Sequence, residues 1–107
     1  MQTIISKENR LVTLINVFTV DPQHQQELVD ILVEATAKVM RDMPGFISAN
    51  IHKSLDGAKV VNYAQWASKE AFEAMLHNEQ AQSHMLKAEN IAKAQPHLYE
   101  VSFVDHT

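Results

Sequence analysis

Four stretches of the chain carry hydrophobic residues with the period of a β-strand. Successive side chains of a strand point to opposite faces of a sheet, so apolar residues recur at every second position or fill a buried strand completely. The four stretches are residues 11–20, 46–55, 60–66 and 97–105. The sequence therefore predicts four strands, preceded by a loose lead-in over residues 1–10.

Two regions between these strands carry the period of an amphipathic helix. Asp21-Pro22 is a typical helix start, and it predicts a helix over residues 23–41. Ser68 is a second cap, and His77-Asn78 separates a short helix from a longer one over residues 79–94, which Pro96 ends. The predicted inward residues are Leu28, Ile31, Leu32, Ala35 and Val39 in the first region, and Phe72, Met75, Leu76, Ala81, Met85, Ala88 and Ala92 in the second.

The order of these elements is β-α-β-β-α-β, which predicts an α+β fold of the ferredoxin-like, split βαβ type. Right-handed crossovers place both helical regions on one face of a four-stranded antiparallel sheet. Asp56-Gly57 predicts a two-residue type I′ hairpin between the second and third strands. This hairpin would set Ile51 opposite Asn62 and Ile47 opposite Trp66.

The helix-covered face of the sheet combines apolar residues with a few polar groups. Asn16 alternates with apolar residues on the first strand, and Asn62 and Trp66 share a face of the third strand. An amide or an indole N–H in an apolar layer is costly unless it finds a hydrogen-bond partner. A ligand is one possible partner, and backbone or water, as in an ordinary core, is the alternative.

The opposite face of the sheet is also apolar, although no helix covers it. One layer of helices can cover only one face, and a large exposed apolar patch is unusual on a monomer. The sequence therefore predicts a homodimer in which this face packs against a second copy. The predicted residues of the face are Ile15, Val17, His52, Tyr63 and Leu98.

Composition narrows the class of protein. A length of 107 residues suits one domain, with a core over about residues 11–105. A net charge of −4 and dispersed basic residues argue against a nucleic-acid partner. No apolar run approaches the roughly 20 residues of a membrane span, and residues 1–10 do not resemble a signal peptide, so we expect a cytoplasmic protein with no membrane partner.

The sequence lacks the usual motifs of nucleophilic, phosphate-binding and metal-binding sites. There is no Cys, the two Gly are isolated, and the six His show no compact ligand spacing, so we expect neither a metal nor another cofactor. His84 lies beside an apolar helical stripe, where it suits a base, a metal ligand or, alternatively, a surface histidine. The remaining candidate is a small-molecule pocket between sheet and helices. Its predicted lining is Asn16, Ile51, Asn62, Trp66, Phe72, Met75, His84 and Met85.

A resemblance to a known family strengthens the prediction of a pocket. The run Asn62-Tyr63-Ala64-Gln65-Trp66 follows an Asp-Gly turn and is preceded by Met43-Pro44-Gly45-Phe46. With this order and spacing, residues 14–103 resemble the antibiotic biosynthesis monooxygenase (ABM) family. The resemblance implies a dimeric α+β barrel, and an oxygenase that acts on a polycyclic phenol, anthrone or quinol with O₂ and without metal or flavin. It also implies that Asn62 and Trp66 are the catalytic hydrogen-bond donors.

The chain departs from the family pattern at three pocket positions. Some oxygenases of the family carry Tyr or Arg where this chain has Ile51, Phe72 and Leu86, so a side-chain acid or cation is missing and a smaller quinol or another ligand stays open. The alternative function is a non-catalytic dimeric module that binds a small molecule or takes part in a stress response. A haem-degrading monooxygenase fits less well, because Trp66 lies on the strand and His84 is out of step with that branch's ligand.

Overall fold

An antiparallel sheet with helices on one face forms the body of the protein. The computed structural model describes residues 2–107; Met1, the first residue of the predicted lead-in, lies outside them. Two short 3₁₀ turns, Pro22–His24 and Met40–Asp42, flank the first helix. In chain order the strands and helices of the described residues are β1 (Val12–Val20), α1 (Gln25–Lys38), β2 (Phe46–Lys53), β3 (Lys59–Trp66), α2 (Lys69–Leu76), α3 (Glu79–Glu89) and β4 (Ala92–Tyr99).

The strand order β2-β3-β1-β4 is that of the predicted ferredoxin-like fold. All three strand pairs are antiparallel, and β1 and β3 form the centre of the sheet. This arrangement confirms the predicted fold class. Within residues 2–107, none of the helices combines the length and apolar character that a membrane span requires.

Side-chain caps begin three helical segments, two of them, at Asp21 and Ser68, where the sequence predicts a cap. The Asp21 carboxylate accepts a hydrogen bond from the Gln23 N–H at 2.9 Å, and the Ser68 hydroxyl accepts one from the Ala71 N–H at 3.0 Å. The Asn78 side chain accepts from the Ala81 N–H at 2.9 Å and so begins α3. Each cap satisfies a backbone donor that has no partner inside its helix.

Gly45 allows the chain to enter β2 directly beside α2. Its φ of +85° is left-handed, and a Cβ atom there would collide with the side chain of Ala71. Glycine tolerates this backbone conformation without steric cost. The Gly45 carbonyl also accepts a hydrogen bond from the Ala67 N–H at 2.7 Å, which joins the start of β2 to the end of β3.

The hairpin between β2 and β3 keeps the predicted register with a different loop. Ile51 pairs with Asn62, as expected, but the loop has four residues, 55–58, between the paired residues Ser54 and Lys59. Gly57 alone among these loop residues has a positive φ, so the predicted type I′ turn is wrong. The observed four-residue loop and the predicted two-residue turn are both centred on the peptide bond between Asp56 and Gly57. The register of the two strands is therefore the same in both cases.

A bulge near the start of β2 changes one predicted pair. Phe46, rather than Ile47, lies opposite Trp66, because the register shifts between Phe46 and Ser48. Ile47 is consequently 44% exposed, whereas the Phe46 ring packs edge-on against Trp66 with ring centroids 5.5 Å apart. A bulge inserts one extra residue and so exchanges the faces on which neighbouring side chains lie.

The last strand begins earlier than the sequence predicts. Helix α3 ends at Glu89, β4 spans Ala92–Tyr99, and residues 100–107 form no regular structure. The alanines of this stretch favour a helix locally, but pairing with β1 overrides that preference. Pro96 lies inside β4 opposite Asn16, which is tolerated because β4 is an edge strand.

The helix-free face is partly covered by the chain's own start. The Thr3 hydroxyl donates to the Asn50 side-chain oxygen at 2.6 Å, and the Gln65 amide donates to the Ile4 carbonyl at 2.8 Å. Residues 3 and 4 are therefore tied to β2 and β3 rather than loose. Leu98 was predicted on this face, but it pairs with buried Leu14 and borders the helix side.

Candidate functional site

Two asparagines lie side by side in the middle of the sheet. Asn16 of β1 pairs directly with Asn62 of β3. The Cβ atoms of directly opposed residues in an antiparallel pair are about 4.5–5.5 Å apart, so the two amides are neighbours on one face. Ile51 and Pro96 complete this row on the two outer strands.

The asparagine row separates two halves of the hydrophobic core. One half includes Leu14, Ala64 and Trp66 with residues of α2, and the other includes Phe18, Val60 and Leu28 of α1. Leu14 and Phe18 lie on either side of Asn16 along β1. The apolar side chains thus pack on both sides of the row along the strands, but they do not fill the space between the row and the helices.

A cavity of about 380 Å³ occupies this space between the sheet and the helices. Its volume lies within the range of roughly 300–1,000 Å³ that is typical of sites for drug-sized ligands. Apolar side chains of both core halves form most of its wall. The lining residues are Leu14, Asn16, Phe18, Leu32, Ala35, Met40, Asn62, Phe72, Met75, Leu76, His84, Met85, Ala88, Glu89, Ala94, Pro96, His97 and Leu98.

Three polar atoms in the cavity wall are buried without a hydrogen-bond partner. They are Oδ1 of Asn16, Oδ1 of Asn62 and Nε2 of His84. An unpaired buried polar group costs about 1–3 kcal/mol, and such groups are rare in folded proteins. All three belong to residues that line one cavity, which makes a polar molecule bound there a candidate partner.

Amides elsewhere in the sheet show that the chain can satisfy such groups. Gln65, 97% buried on the opposite face, accepts a hydrogen bond from Ser48 at 2.8 Å and donates to the Ile4 carbonyl. Asn50 accepts from Thr3 and donates to the Tyr63 carbonyl at 3.0 Å. The unpaired oxygens are therefore a property of the cavity, not of asparagine in this sheet.

His84 is held in one orientation by its own helix. Its Nδ1 lies 3.0 Å from the Gln80 carbonyl, which can only accept, so Nδ1 carries the proton and donates it. Nε2 is then left with its lone pair. The Glu34 carboxylate of α1 lies 3.8 Å from Nε2, too far for a hydrogen bond, and it would attract the ring only after Nε2 is protonated.

Glu34 carries its charge over a wide pH range. The hydrogen bond from Lys38, together with the charge of that ammonium, holds the pKa of the Glu34 carboxyl below its usual range, and the charge of Lys87 adds to this effect. Glu34 is solvent-exposed, and the Lys38 Nζ lies 3.4 Å from its carboxylate. A negative charge is thus present beside the cavity at neutral pH.

The structure places six of the eight predicted site residues in the cavity wall. They are Asn16, Asn62, Phe72, Met75, His84 and Met85.

Trp66 and Ile51 do not line the cavity. Trp66 lies four pairs beyond Asn62 along β3, where its ring packs edge-on between Phe46 and Phe72 at centroid distances of 5.5 and 6.4 Å. Ile51 shares the asparagine row but sits on outer strand β2 and packs into the α1 half of the core.

Sequence reasoning missed the contribution of β4. Ala94, Pro96, His97 and Leu98 border the cavity. The sequence predicts a helix up to residue 94 and a strand only from residue 97, which hides the pairing of Ala94 and Pro96 with β1, and it assigns Leu98 to the opposite face. The pairing of Leu14 with Leu98 and of Phe18 with Ala94 became visible only with the register of β4. Among residues 2–107 no group of three or more His, Asp or Glu is placed to hold a metal ion.

The fold and the cavity define a class of small α+β proteins with a cavity of small-molecule size between sheet and helices. Comparison with known proteins is more specific. The model of the antibiotic biosynthesis monooxygenase family matches residues 11–86, and the chain belongs to this family. The resemblance found in the sequence and the monooxygenase class of activity are therefore confirmed.

The chain is similar to characterised oxygenases over most of its length. It is 45% identical to tetracenomycin-F1 monooxygenase of Streptomyces glaucescens over 98 residues, which cover 92% of this chain and 88% of that protein. A variant of SnoaB, a cofactor-independent oxygenase from Streptomyces nogalater, superimposes with a TM-score of 0.78 at 21% identity, over 89% of this chain and 96% of that one.

A second structure is that of the ActVA-Orf6 monooxygenase of Streptomyces coelicolor in complex with nanaomycin D. It superimposes with a TM-score of 0.68 at 28% identity, over 89% of this chain and 92% of that one.

Proposed function

We propose that this enzyme oxidises a polycyclic aromatic phenol, anthrone or quinol with O₂ and that it needs no resident cofactor. The observation that carries the proposal is the pair of cross-strand asparagines whose buried oxygens lack partners in an apolar cavity. The similarity to tetracenomycin-F1 monooxygenase and to a monooxygenase that binds nanaomycin D supports an aromatic polyketide-like substrate.

The two amides suit a substrate with hydroxyl and carbonyl groups. Each asparagine offers one acceptor oxygen and two N–H donors. The oxygens of Asn16 and Asn62 would accept hydrogen bonds from phenolic hydroxyls, and their N–H groups would donate to the oxyanion that forms as the substrate loses a proton. Donors aimed at a developing negative charge in a dry site are an effective form of catalysis.

The substrate supplies the electrons in this reaction. A base removes a proton from an acidic C–H group of an anthrone-type methylene, and the resulting carbanion gives an electron to O₂. Recombination of the radical pair forms a C–O bond, and the hydroperoxide then loses its second C–H proton as the O–O bond breaks. One oxygen atom becomes a carbonyl of the product and the other leaves in water, so atoms and electrons balance.

Trp66 remains a proposed donor with a more distant position than the sequence suggests. It contacts Phe72, which lines the cavity, and its ring supports that wall. To act as a donor, Trp66 would have to reach the substrate with its indole N–H past Phe72. In addition to that role, its ring keeps Phe72 in place and water out of the cavity.

Oxygen uptake with a panel of anthrones, hydroquinones and catechols tests the proposal. We expect wild type to consume O₂ with at least one compound, and Asn62→Ala to lower kcat by about 10²–10³-fold, the usual cost of one oxyanion donor. Asn90→Ala, at the exposed end of α3, is the matched control and should retain full activity. Equal O₂ consumption by wild type and Asn62→Ala with every compound would contradict the proposal, as would ligand-dependent thermal stabilisation without any turnover.

The proposal includes a homodimer formed by the helix-free face of the sheet. Half-buried Ile15, Val17, Val61 and Tyr63 lie on this face. Thr3 and Ile4 contact the β2 and β3 part of this face. The apolar side chains of β1 are left for a second copy of the chain to bury. Two sheets packed face to face would form the α+β barrel that the family resemblance implies.

We further propose that residues 1–107 act as one domain, with a core over about 11–105, and that the enzyme is cytoplasmic.

A further inference from the structure

We propose that His84 is the base that takes the proton from the substrate, and that Glu34 is a positioning residue that stabilises the resulting imidazolium. This inference rests on the proposed function, because it names the group that performs its first step. It starts from one atom, the buried Nε2 of His84, which has no hydrogen-bond partner and belongs to a residue of the cavity wall.

The tautomer of His84 suits a base. Because the Gln80 carbonyl accepts from Nδ1–H at 3.0 Å, the free lone pair lies on Nε2. A neutral imidazole with one nitrogen donating to backbone and the other unpaired is ready to accept a proton. The side chain is 14% exposed, so bulk water has little access to compete for that position.

The surroundings of His84 favour the state after proton transfer. Once Nε2 is protonated, Nδ1–H remains bonded to Gln80, and the Glu34 carboxylate 3.8 Å from Nε2 faces the new positive charge. Lys38 keeps Glu34 ionised through its hydrogen bond and charge. Lys87, which lies on the same helix as His84, is also close enough to Glu34 for its charge to lower the pKa of the Glu34 carboxyl.

Two other titratable side chains border the cavity, Glu89 at the end of α3 and His97 on β4. Both are exposed, unlike the Nε2 atom of His84. Water solvates them, whereas the His84 lone pair has no partner until a substrate arrives. Among the titratable groups that line the cavity, His84 is thus the one for which an acidic substrate hydrogen supplies a missing contact.

The proposed step is a proton transfer without change of oxidation state. The bond between the proton and an acidic carbon or oxygen of the substrate breaks, its electron pair stays on the substrate, and an N–H bond forms at Nε2. The substrate anion then rests against Asn16 and Asn62, and the proton is available for the hydroperoxide or water formed later.

An anaerobic experiment isolates this step from oxidation. Dithranol, a dihydroxylated anthrone, changes colour when it loses a proton, so its anion can be followed by absorbance under argon. We expect wild type to form the anion on mixing, and His84→Gln to lower the rate by about 10²–10⁴-fold, the usual contribution of general base catalysis. His77→Gln, at the exposed end of α2, should behave as wild type.

Further variants guard against a merely structural effect. In His84→Ala, added imidazole should restore anion formation, because the truncated side chain leaves room for it. Glu34→Gln should lower the rate, because the carboxylate that stabilises the imidazolium is lost. Glu34→Asp, which keeps the negative charge, should restore part of the rate, whereas a merely structural role of Glu34 would not depend on its charge.

The outcomes separate this inference from the proposed function. Anion formation by wild type but not by His84→Gln, with rescue by imidazole, supports His84 as the base. Equal anion formation by the two proteins, or none by wild type, overturns it. If wild type forms the anion under argon but consumes no O₂ in air with any compound of the panel, the oxygenase proposal fails while His84 stands as the base.

Discussion

At the scale of single residues, the decisive observation is a difference between asparagines. Asn50 has partners for both its oxygen and its nitrogen, whereas the oxygens of Asn16 and Asn62 have none. A buried amide without partners lowers the free energy of unfolding. The protein retains this cost at a cavity, as enzymes commonly do where stability and activity conflict.

This difference predicts opposite effects on stability. Asn62→Leu should raise the free energy of unfolding by about 1 kcal/mol, since it replaces an unpaired polar group by an apolar one. Asn50→Leu should lower it by about 1–2 kcal/mol, because it breaks the hydrogen bonds of Asn50 to Thr3, Ser48 and Tyr63. The midpoint of urea unfolding at unchanged m-value measures both changes. A loss of stability in Asn62→Leu comparable to that in Asn50→Leu would show that Asn62 is structural.

At the scale of elements, helix α2 depends on its Ser68 cap and in turn positions part of the cavity wall. The helix begins at Ser68 and carries Phe72 and Met75 into the cavity wall. It has only eight residues, so its own hydrogen bonds provide little stability without the cap and tertiary packing.

Ser68→Ala should therefore lower the free energy of unfolding by about 1 kcal/mol, the typical value of an N-cap. Ser68→Asp should retain most of the stability, because a carboxylate accepts the same hydrogen bond. Ser83→Ala, on the exposed side of α3, is the control and should change stability by less than about 0.5 kcal/mol. Thermal unfolding measures all three, and an equal response to Ser68→Ala and Ser83→Ala would mean that the cap does not hold α2.

At the scale of the whole molecule, the sheet presents two apolar faces and one layer of helices. The centre of β1 shows this most clearly, since Leu14 and Phe18 are buried under the helices while Ile15 and Val17 on the reverse face stay half-exposed. Burial of apolar surface stabilises association by roughly 25 cal/mol per Å² before the entropic cost of pairing. The helix-free face is thus the proposed dimer interface.

Val17→Lys should split the dimer or unfold the chain, because it places a charge in the centre of that interface. Lys69→Glu, at the exposed start of α2, should leave the assembly unchanged. Analytical ultracentrifugation at micromolar concentration measures the mass of each species. A monomeric wild type would exclude the dimer at this concentration.

The sequence by itself determined the elements that follow from local chemistry. Hydrophobic period and caps at Asp21 and Ser68 predicted the first three strands and the starts of two helical regions. The alternation of faces placed Asn16 and Asn62 beneath the helices, and the structure pairs them. These features could be predicted because each depends on a few neighbouring residues.

Only the tertiary structure decided where distant residues meet. Pairing with β1 turned the alanine-rich residues around Ala94 into a strand and brought Leu98 to the helix side. The bulge at β2 exchanged Phe46 for Ile47, and packing between two phenylalanines withdrew Trp66 from the cavity wall. The lone pair of His84 was likewise invisible in the sequence, because it depends on which carbonyl its other nitrogen meets and on how closely α1 approaches α3.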